Sequence, residues 1–217
     1  VENWSTSSFD PTQDWSSWSL IAAGAGEKLL DVSPDGQVKP RLAESIKSLD
    51  DHTWEVKIRP GVRFWSGAAM DAQAVRDSLE RSRQLDPAGA PLLKGVAIEV
   101  ADPGTLRFKT EAIDGFFPLI LANSQLAIHN AKIMGPKAAP DALKSLDLTG
   151  PFKVRDWTLN QGLELEAWDG YWGPKSKIKR ARMVVVKDGA ARVLSAESGE
   201  GGIVRYLPPD GIPTPQT

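Results

Sequence analysis

The stretch from His52 to Arg83 constrains this chain more than any other. From Thr53 to Ile58 the residues alternate, with Trp54, Val56 and Ile58 on one side and Thr53, Glu55 and Lys57 on the other. A period of two built from aromatic and β-branched residues predicts a half-buried strand, with Glu55 and Lys57 turned from the core. Arg59-Pro60-Gly61 ends it, because proline fixes φ and glycine accepts a positive one. Val62 to Trp65 predicts a second short strand that carries Phe64 into the core, and Ser66-Gly67 a second turn. The period then becomes helical. Asp71 can accept the free N–H groups of a first turn. Met70 and Val75 are spaced as a hydrophobic staple. Val75 and Leu79 begin a buried stripe, and Asp77 and Arg81 are set for an i,i+4 ion pair.

The rest of the chain continues in the same vocabulary. Trp18 to Leu30 predicts a helix weakened by Gly24 and Gly26. Ser33-Pro34-Asp35-Gly36 is a turn. Val96 to Val100 and Thr105 to Lys109 alternate around Asp102-Pro103-Gly104, which predicts a hairpin. Asp114 to Ala122 reads as a short helix and Leu126 to Ile128 as a short apolar strand. A second hairpin is expected from Phe152 to Trp157 and Leu163 to Ala167, turning at Asn160-Gln161-Gly162. Met183 to Val186 is a β-branched run expected to be buried on both faces. Asp188 is placed to cap a helix through Ser198, with Gly199 at its C-terminal stop. Ile203 to Leu207 predicts one more strand, ahead of a proline-rich tail.

This succession of residues resembles the family 5 bacterial extracellular solute-binding proteins, the peptide- and nickel-type receptors of ABC importers. The resemblance rests on Phe9-Asp10-Pro11, Glu27-Lys28-Leu29, Pro40-Arg41-Leu42-Ala43-Glu44-Ser45, Asp50-Asp51-His52-Thr53-Trp54, Arg59-Pro60-Gly61-Val62-Arg63-Phe64, Thr149-Gly150-Pro151-Phe152, Tyr171-Trp172-Gly173 and Ser198-Gly199-Glu200, in the family's order. It departs at Trp65-Ser66-Gly67, where His-Asp-Gly or a similar triplet is usual, and at Ala74, where an acid is common. It implies an α/β protein like the first lobe of a type II periplasmic-binding fold, with mixed β-sheets, flanking helices and the second lobe absent. Residues 1–14 and 148–217 are then expected to form part of a central-sheet subdomain, and 15–147 an accessory subdomain. A sheet that lacks its return strands exposes unpaired backbone groups, so self-association through that edge is expected.

The implied function is capture of a small solute, a peptide or related compound, for a membrane permease, in the periplasm or outside the cell. Ligand-binding residues are expected at Trp15, Trp18 and Ser19, in the segment after Phe9-Asp10-Pro11, and at Asn123, Ser124 and Gln125, which match the position of the family's cleft-lining turn. Two indoles among small polar groups also suit a binding surface on their own chemistry. The bland alternatives are that Trp18 opens the core stripe of the next helix and that 123–125 is an ordinary turn. No leader is visible before Val1, which leaves a removed leader or a trimmed chain.

Composition narrows the rival functions. The 217 residues carry a net charge of -2, which gives no electrostatic footprint for nucleic acid or an acidic membrane surface. There is no cysteine, hence no disulfide and no thiolate metal site. No apolar run approaches the roughly 18 residues needed to span a bilayer. His52 and His129 are far apart and bring no further metal ligands with them, so no metal and no cofactor is expected. Ser176-Lys177-Ile178-Lys179 matches a Ser-x-x-Lys nucleophile motif but precedes a strand instead of opening a helix, so it is read as coincidence. The Lys175 to Arg182 basic run is read as a solvated loop. No catalytic residue is expected, and an enzyme such as a hydrolase is the weaker alternative to a binding protein. A single-lobe module that binds another protein is the second alternative.

Overall fold

The computed structural model describes residues 8–138, 142–158, 161–199, 202–204 and 207–208. In chain order the elements are α1 (Ser16–Ala22), β1 (Leu30–Val32), β2 (Val38–Pro40), β3 (Ala43–Ser48), β4 (Thr53–Ile58), α2 (Ala72–Leu85), β5 (Val96–Asp102), β6 (Thr105–Thr110), α3 (Phe117–Leu121), α4 (Ala131–Met134), β7 (Phe152–Thr158), β8 (Gly162–Ala167), β9 (Arg180–Val184) and α5 (Gly189–Glu197). Three sheets result, β1-β2, β3-β4-β6-β5 and β7-β8-β9, and their described pairs all run antiparallel. No helix among the described residues is long and apolar enough to cross a membrane.

The alternation of β4 sets the first layer. Val56 and Ile58 are buried in a core with Phe64, Leu79, Leu106, Phe108 and Phe117, and Trp54 packs partly buried against it. Lys57 is exposed as expected. Glu55 does face away from this core but is only 9% exposed, because its neighbours cover it. Its carboxylate is 3.0 Å from Lys47 Nζ and 3.4 Å from Arg107 Nη2. In register across the sheet, Lys47, Glu55, Arg107 and Glu99 alternate in sign, and opposite charges facing one another across strands favour that register.

α2 packs on β5 and β6. Its start follows the expected chemistry: Asp71 Oδ1 accepts the Ala74 N–H at 2.8 Å, and Met70 and Val75 are both buried. The expected Asp77–Arg81 pair does not form. Asp77 accepts from Gln73 instead, at 2.6 Å, and Arg81 turns inward. At α5, Asp188 caps Ala191 N–H at 2.8 Å and Gly199 has φ 72°, as the sequence predicts.

Several elements differ from expectation, each through a contact distant in sequence. Val62 to Trp65 is not a strand but one arm of a tight loop, with a single bridge between Arg63 and Ala69. α1 stops at Ala22, because Gly24 takes φ 71° and Ala25 and Gly26 fold back onto the Leu20 carbonyl. Residues 124–126 form one 3₁₀ turn, and the backbone of Ile128 reaches only the Glu27 carbonyl, so no strand forms there. The helix expected from Asp114 is confined to Phe117–Leu121. β9 begins at Arg180 and, among the described residues, is an edge strand paired only with β8; Val184 is 46% exposed, so burial on both faces is not realised. Residues 203–204 and 207–208 are not in a strand. The parts of the expectations that fall on residues 1–7, Asn160, Glu200, 205–206 and the proline-rich tail from 209 lie outside the described residues.

A second core gathers Phe9, Leu20, Trp65, Leu146, Leu148, Val154, Leu163 and Leu165. Gly150 joins its parts. Gly150 N–H donates to Ala25 O at 3.0 Å, Phe152 N–H to Gly24 O at 3.1 Å, and Trp65 Nε1 donates to Gly150 O at 3.0 Å. A Cβ at Gly150 would stand 2.3 Å from Ala25 O, so only glycine permits this approach.

Candidate functional site

Three polar constellations stand out, and burial separates them. The first centres on Arg81, which is 4% exposed. Its guanidinium donates to Asp10 through Nη1 at 2.8 Å and Nη2 at 2.5 Å, to Gly135 O at 2.7 Å and to Lys137 O at 3.1 Å. Thr12 supplies Asp10 with a backbone donor at 3.0 Å and a hydroxyl donor at 2.8 Å. Burial alone would raise the Asp10 carboxyl, but the hydrogen bonds from Arg81 and Thr12 and the Arg81 charge outweigh it and hold the pKa at about 2. His129 lies alongside, fully buried, with Nδ1 3.2 Å from Ser78 Oγ and 3.0 Å from Ala127 O, and Nε2 3.4 Å from Arg81 Nη1. Burial, then the Arg81 charge, pull its pKa down to about 4, so the imidazole is neutral.

The second constellation centres on Glu27, 4% exposed. It accepts from Arg41 Nε at 2.9 Å, Tyr171 Oη at 2.9 Å and Trp172 Nε1 at 3.0 Å, while Arg41 Nη2 also donates to Tyr171 Oη at 2.8 Å. The guanidinium carbons of Arg59 and Arg41 lie 4.8 and 5.5 Å from the Trp172 ring centroid, within cation–π range. Burial, then the Glu27 charge, push the Tyr171 hydroxyl up from its ordinary value, so it remains a donor. Beside it in function is Asp147, which accepts from Ser66 N at 2.8 Å, Ser66 Oγ at 2.6 Å and Asn130 Nδ2 at 2.7 Å. Ser66 is thus what fixes the departing Trp65-Ser66-Gly67 triplet to the chain before Leu148.

These networks are satisfied within the protein and centre on buried groups, Arg81, Glu27 and Asp147, although Arg41 remains 39% exposed, which suits a frame more than a site. Asp10, Glu27, Arg41, Tyr171 and Trp172 come from the motifs Phe9-Asp10-Pro11, Glu27-Lys28-Leu29, Pro40-Arg41 and Tyr171-Trp172-Gly173, whereas Arg81 and His129 lie outside them. His52 is apart from His129, at a sheet end, with Nδ1 3.0 Å from Thr110 O. Ser176 Oγ accepts the Ile178 N–H at 3.1 Å in a local turn, and no helix starts from it.

The third constellation is open. α1 packs against the 124–126 turn, and Ser17 Oγ donates to Gln125 Oε1 at 2.8 Å. Asn123 Oδ1 accepts the Gln125 backbone N–H at 3.0 Å, which shapes the turn. Ser16, Ser17 and Ser19 face inward, so Ser19 is buried. Trp15 and Trp18 lie three apart on the outward face, 62% and 37% exposed. Asn123, Ser124 and Gln125 are half-buried. The structure therefore brings the two sequence-expected segments together. The residue that joins them, Ser17, was not expected; its only trace in the sequence is its place between the two tryptophans.

A concavity of about 670 Å³ lies elsewhere, on the β7-β8-β9 sheet. Arg155, Glu164, Glu166, Arg180 and Arg182 line it. Arg155 and Arg180 both pair with Glu166 across strands, so the groove is largely a self-neutralising sheet face.

Comparison with known proteins adds a lineage to this geometry. The model for the middle region of bacterial extracellular solute-binding proteins, family 5, matches residues 37–217. The probable D,D-dipeptide-binding periplasmic protein DdpA of Escherichia coli (strain K12) is 28% identical over 197 residues, covering 86% of this chain and 38% of DdpA. The nickel-binding protein NikA of Staphylococcus aureus (strain NCTC 8325 / PS 47) is 24% identical over 188 residues, covering 87% of this chain and 37% of NikA. A crystal structure of a nickel ABC transporter protein from Bacillus halodurans superposes with a TM-score of 0.80 at 34% identity, over 91% of this chain and 40% of that one. The fold is that of the type II periplasmic-binding proteins, and the chain spans less than two fifths of the length of the curated relatives it matches.

Proposed function

Because the chain belongs to family 5 of the bacterial extracellular solute-binding proteins, we propose that it forms part of a receptor that captures a small solute, a peptide or related compound, outside the cytoplasm and delivers it to the permease of an ABC importer. It binds without transforming its ligand. The observation that carries this reading is the seam between α1 and residues 123–125. There Ser17 ties the two segments together, Trp15 and Trp18 are exposed on α1, and Asn123 and Gln125 are half-buried in the turn that α1 packs against. Rigid aromatic faces with a few placed polar groups are the makings of a solute wall. In a full-length receptor a second lobe would close over this wall and remove the ligand from water.

The division into an accessory subdomain, 15–147, and part of a central-sheet subdomain, 1–14 and 148–217, belongs to the same proposal. It is supported by the placement of the four-stranded sheet and its buried core within the first span and of β7-β8-β9 within the second. The test is indole emission under titration with mixed short peptides. The wild-type chain should respond weakly and saturably, and Trp15→Phe/Trp18→Phe should abolish the response. Tight binding that ignores the double substitution would place the solute site elsewhere.

A further inference from the structure

The net charge of -2 averages over a local asymmetry between β8 and β9. From Trp168 to Arg182 the chain holds one acid, Asp169, and five bases, Lys175, Lys177, Lys179, Arg180 and Arg182. The two arginines belong to the sheet: Arg180 pairs with Glu166, and Arg182 lies opposite Glu164. The three lysines do not. All are exposed, and none has a carboxylate within ion-pair distance among the described residues. Between Lys177 and Lys179 stands Ile178, 59% exposed. Composition reads this run as a solvated loop, but its backbone is held. Trp172 Nε1 is bonded to Glu27, Ser176 Oγ accepts the Ile178 N–H, and Ala167 N–H donates to Lys179 O at 2.8 Å. Little backbone order remains to be imposed when a partner binds. Arg59, over the Trp172 ring at the start of the loop, donates to the Arg41 and Ala43 carbonyls and has no carboxylate partner among the described residues. Acids farther away than a Debye length, about 8 Å at physiological salt, are screened from these charges.

We propose that the loop of residues 174–180 is a docking surface for an anionic lipid bilayer, with Lys175, Lys177 and Lys179 among the headgroup phosphates and Ile178 at the boundary with the acyl chains. Ammonium groups are compact point charges without the fixed fork of a guanidinium. Displayed on a loop with no pocket, they suit a plane of mobile anionic headgroups. A folded acidic partner would instead need a carboxylate placed opposite each. Ile178 decides between the two. An exposed aliphatic side chain gains nothing from a polyanion in water, but it leaves water at a bilayer interface while neighbouring lysines extend to the headgroups. Gly173 to Arg182 holds no aromatic residue, so the loop offers no stacking platform for nucleic acid. The surface is independent of the solute seam, since α1 and residues 123–125 contribute nothing to it.

The experiment is co-sedimentation of the whole chain with large unilamellar vesicles, of phosphatidylcholine alone or with phosphatidylglycerol at about 30 mol%. At about 0.1 M salt the chain should be half bound to the anionic vesicles near millimolar accessible lipid, and bind the neutral ones at least about tenfold more weakly. Raising the salt to about 0.5 M should release it. Lys175→Gln/Lys177→Gln/Lys179→Gln should weaken binding by about a hundredfold, since each lysine near an anionic surface contributes about fivefold. Ile178→Ser should weaken it by about threefold or more and leave the salt dependence in place. All four positions are exposed, so both variants should unfold thermally like the wild type, which circular dichroism checks. Polyglutamate at the same concentration of charge stands in for an acidic polypeptide. Tighter binding to polyglutamate than to the vesicles, with Ile178→Ser silent, would give the loop an acidic protein partner and overturn the bilayer. Equal binding to neutral and anionic vesicles, binding to neither, or a triple variant that binds like the wild type would overturn it as well.

Discussion

Lowering the pH from neutral puts a proton on a free imidazole long before it can put one on His129. An unfolded chain titrates this histidine near its ordinary value of 6.5, whereas in the folded protein burial and the neighbouring Arg81 charge bring it to about 4. Ser78, Arg81 and Asp10 are the groups that face it. Between those two values the unfolded state binds more protons, so stability must fall as pH falls. The full contribution is present above the unfolded value and is gone below the folded one. At 1.36 kcal/mol per unit the loss is about 3 kcal/mol, of which about 2 kcal/mol comes between about pH 7 and 5. Asp10 continues the trend with the same sign. Its carboxyl lies at about 2, below its usual 3.8, so its contribution is lost as the pH falls through that lower window. Urea denaturation at a series of pH values, read by far-UV circular dichroism, gives the slope directly. In His129→Gln the slope between about pH 6.5 and 5 should vanish while the slope from Asp10 and the other lowered carboxylates below it persists. A flat wild-type profile from pH 7 to 5, or an unaltered slope in the variant, would refute the argument.

Glu27→Ala should destabilise the fold by about 3–5 kcal/mol, because it leaves Arg41, Tyr171 and Trp172 donors unanswered around a buried site; a change below about 1 kcal/mol in a denaturant series would show that the network is not a frame. Gly150→Ala should cost at least about 2–3 kcal/mol, since the new methyl meets the Ala25 carbonyl, and hydrogen exchange of Gly150 and Phe152 amides should accelerate with it. Phe108→Ala, at a wholly buried position, should cost about 3–5 kcal/mol and Trp54→Ala less, while Lys57→Ala stays within about 0.5 kcal/mol; equal losses at positions 54 and 57 would mean the strand register is wrong. Among the described residues β9 pairs on one side only, so weak dimers are expected in sedimentation. Arg180 and Arg182 would then face their own copies, so association should strengthen with salt; a monomer at high concentration in all salts would remove this expectation.

What could be read from the sequence was what local chemistry decides. The alternation of Thr53 to Ile58, the two hairpins, and the caps at Asp71, Asp188 and Gly199 each depend on residues within a few positions or on a strand's own pleat. What could not be read was decided by partners remote in sequence. Arg81 looked like the second half of an exposed helix pair, yet its partner is Asp10, 71 residues earlier. The only sign of this was small polar Ser78 and Ser82 on the same buried face of α2. The end of α1 is set where Gly24 passes beneath Phe152. The burial of Met183 to Val186 was read from composition alone, and composition does not say whether a neighbouring strand lies on each side.

The site divides along the same line, and the division has an energetic reason. The motifs that carried the family resemblance, Phe9-Asp10-Pro11, Glu27-Lys28-Leu29, Thr149-Gly150-Pro151-Phe152 and Tyr171-Trp172-Gly173, supply buried charges and a close backbone approach. Removing one member of such a set strands its partners in low dielectric at a cost of several kcal/mol. That is a large share of the total stability of a domain this size. Exchanging an exposed residue such as Trp15, or a half-buried amide such as Gln125, costs little by comparison. A frame of this kind therefore holds its shape while the seam it supports changes chemistry. The frame is legible because few residues can replace its parts. On the proposed reading the ligand is decided at positions such as 15, 18, 123 and 125, where many residues are compatible with the fold, and the bond that joins their two segments, Ser17 Oγ to Gln125 Oε1, spans 108 residues and is visible only in three dimensions.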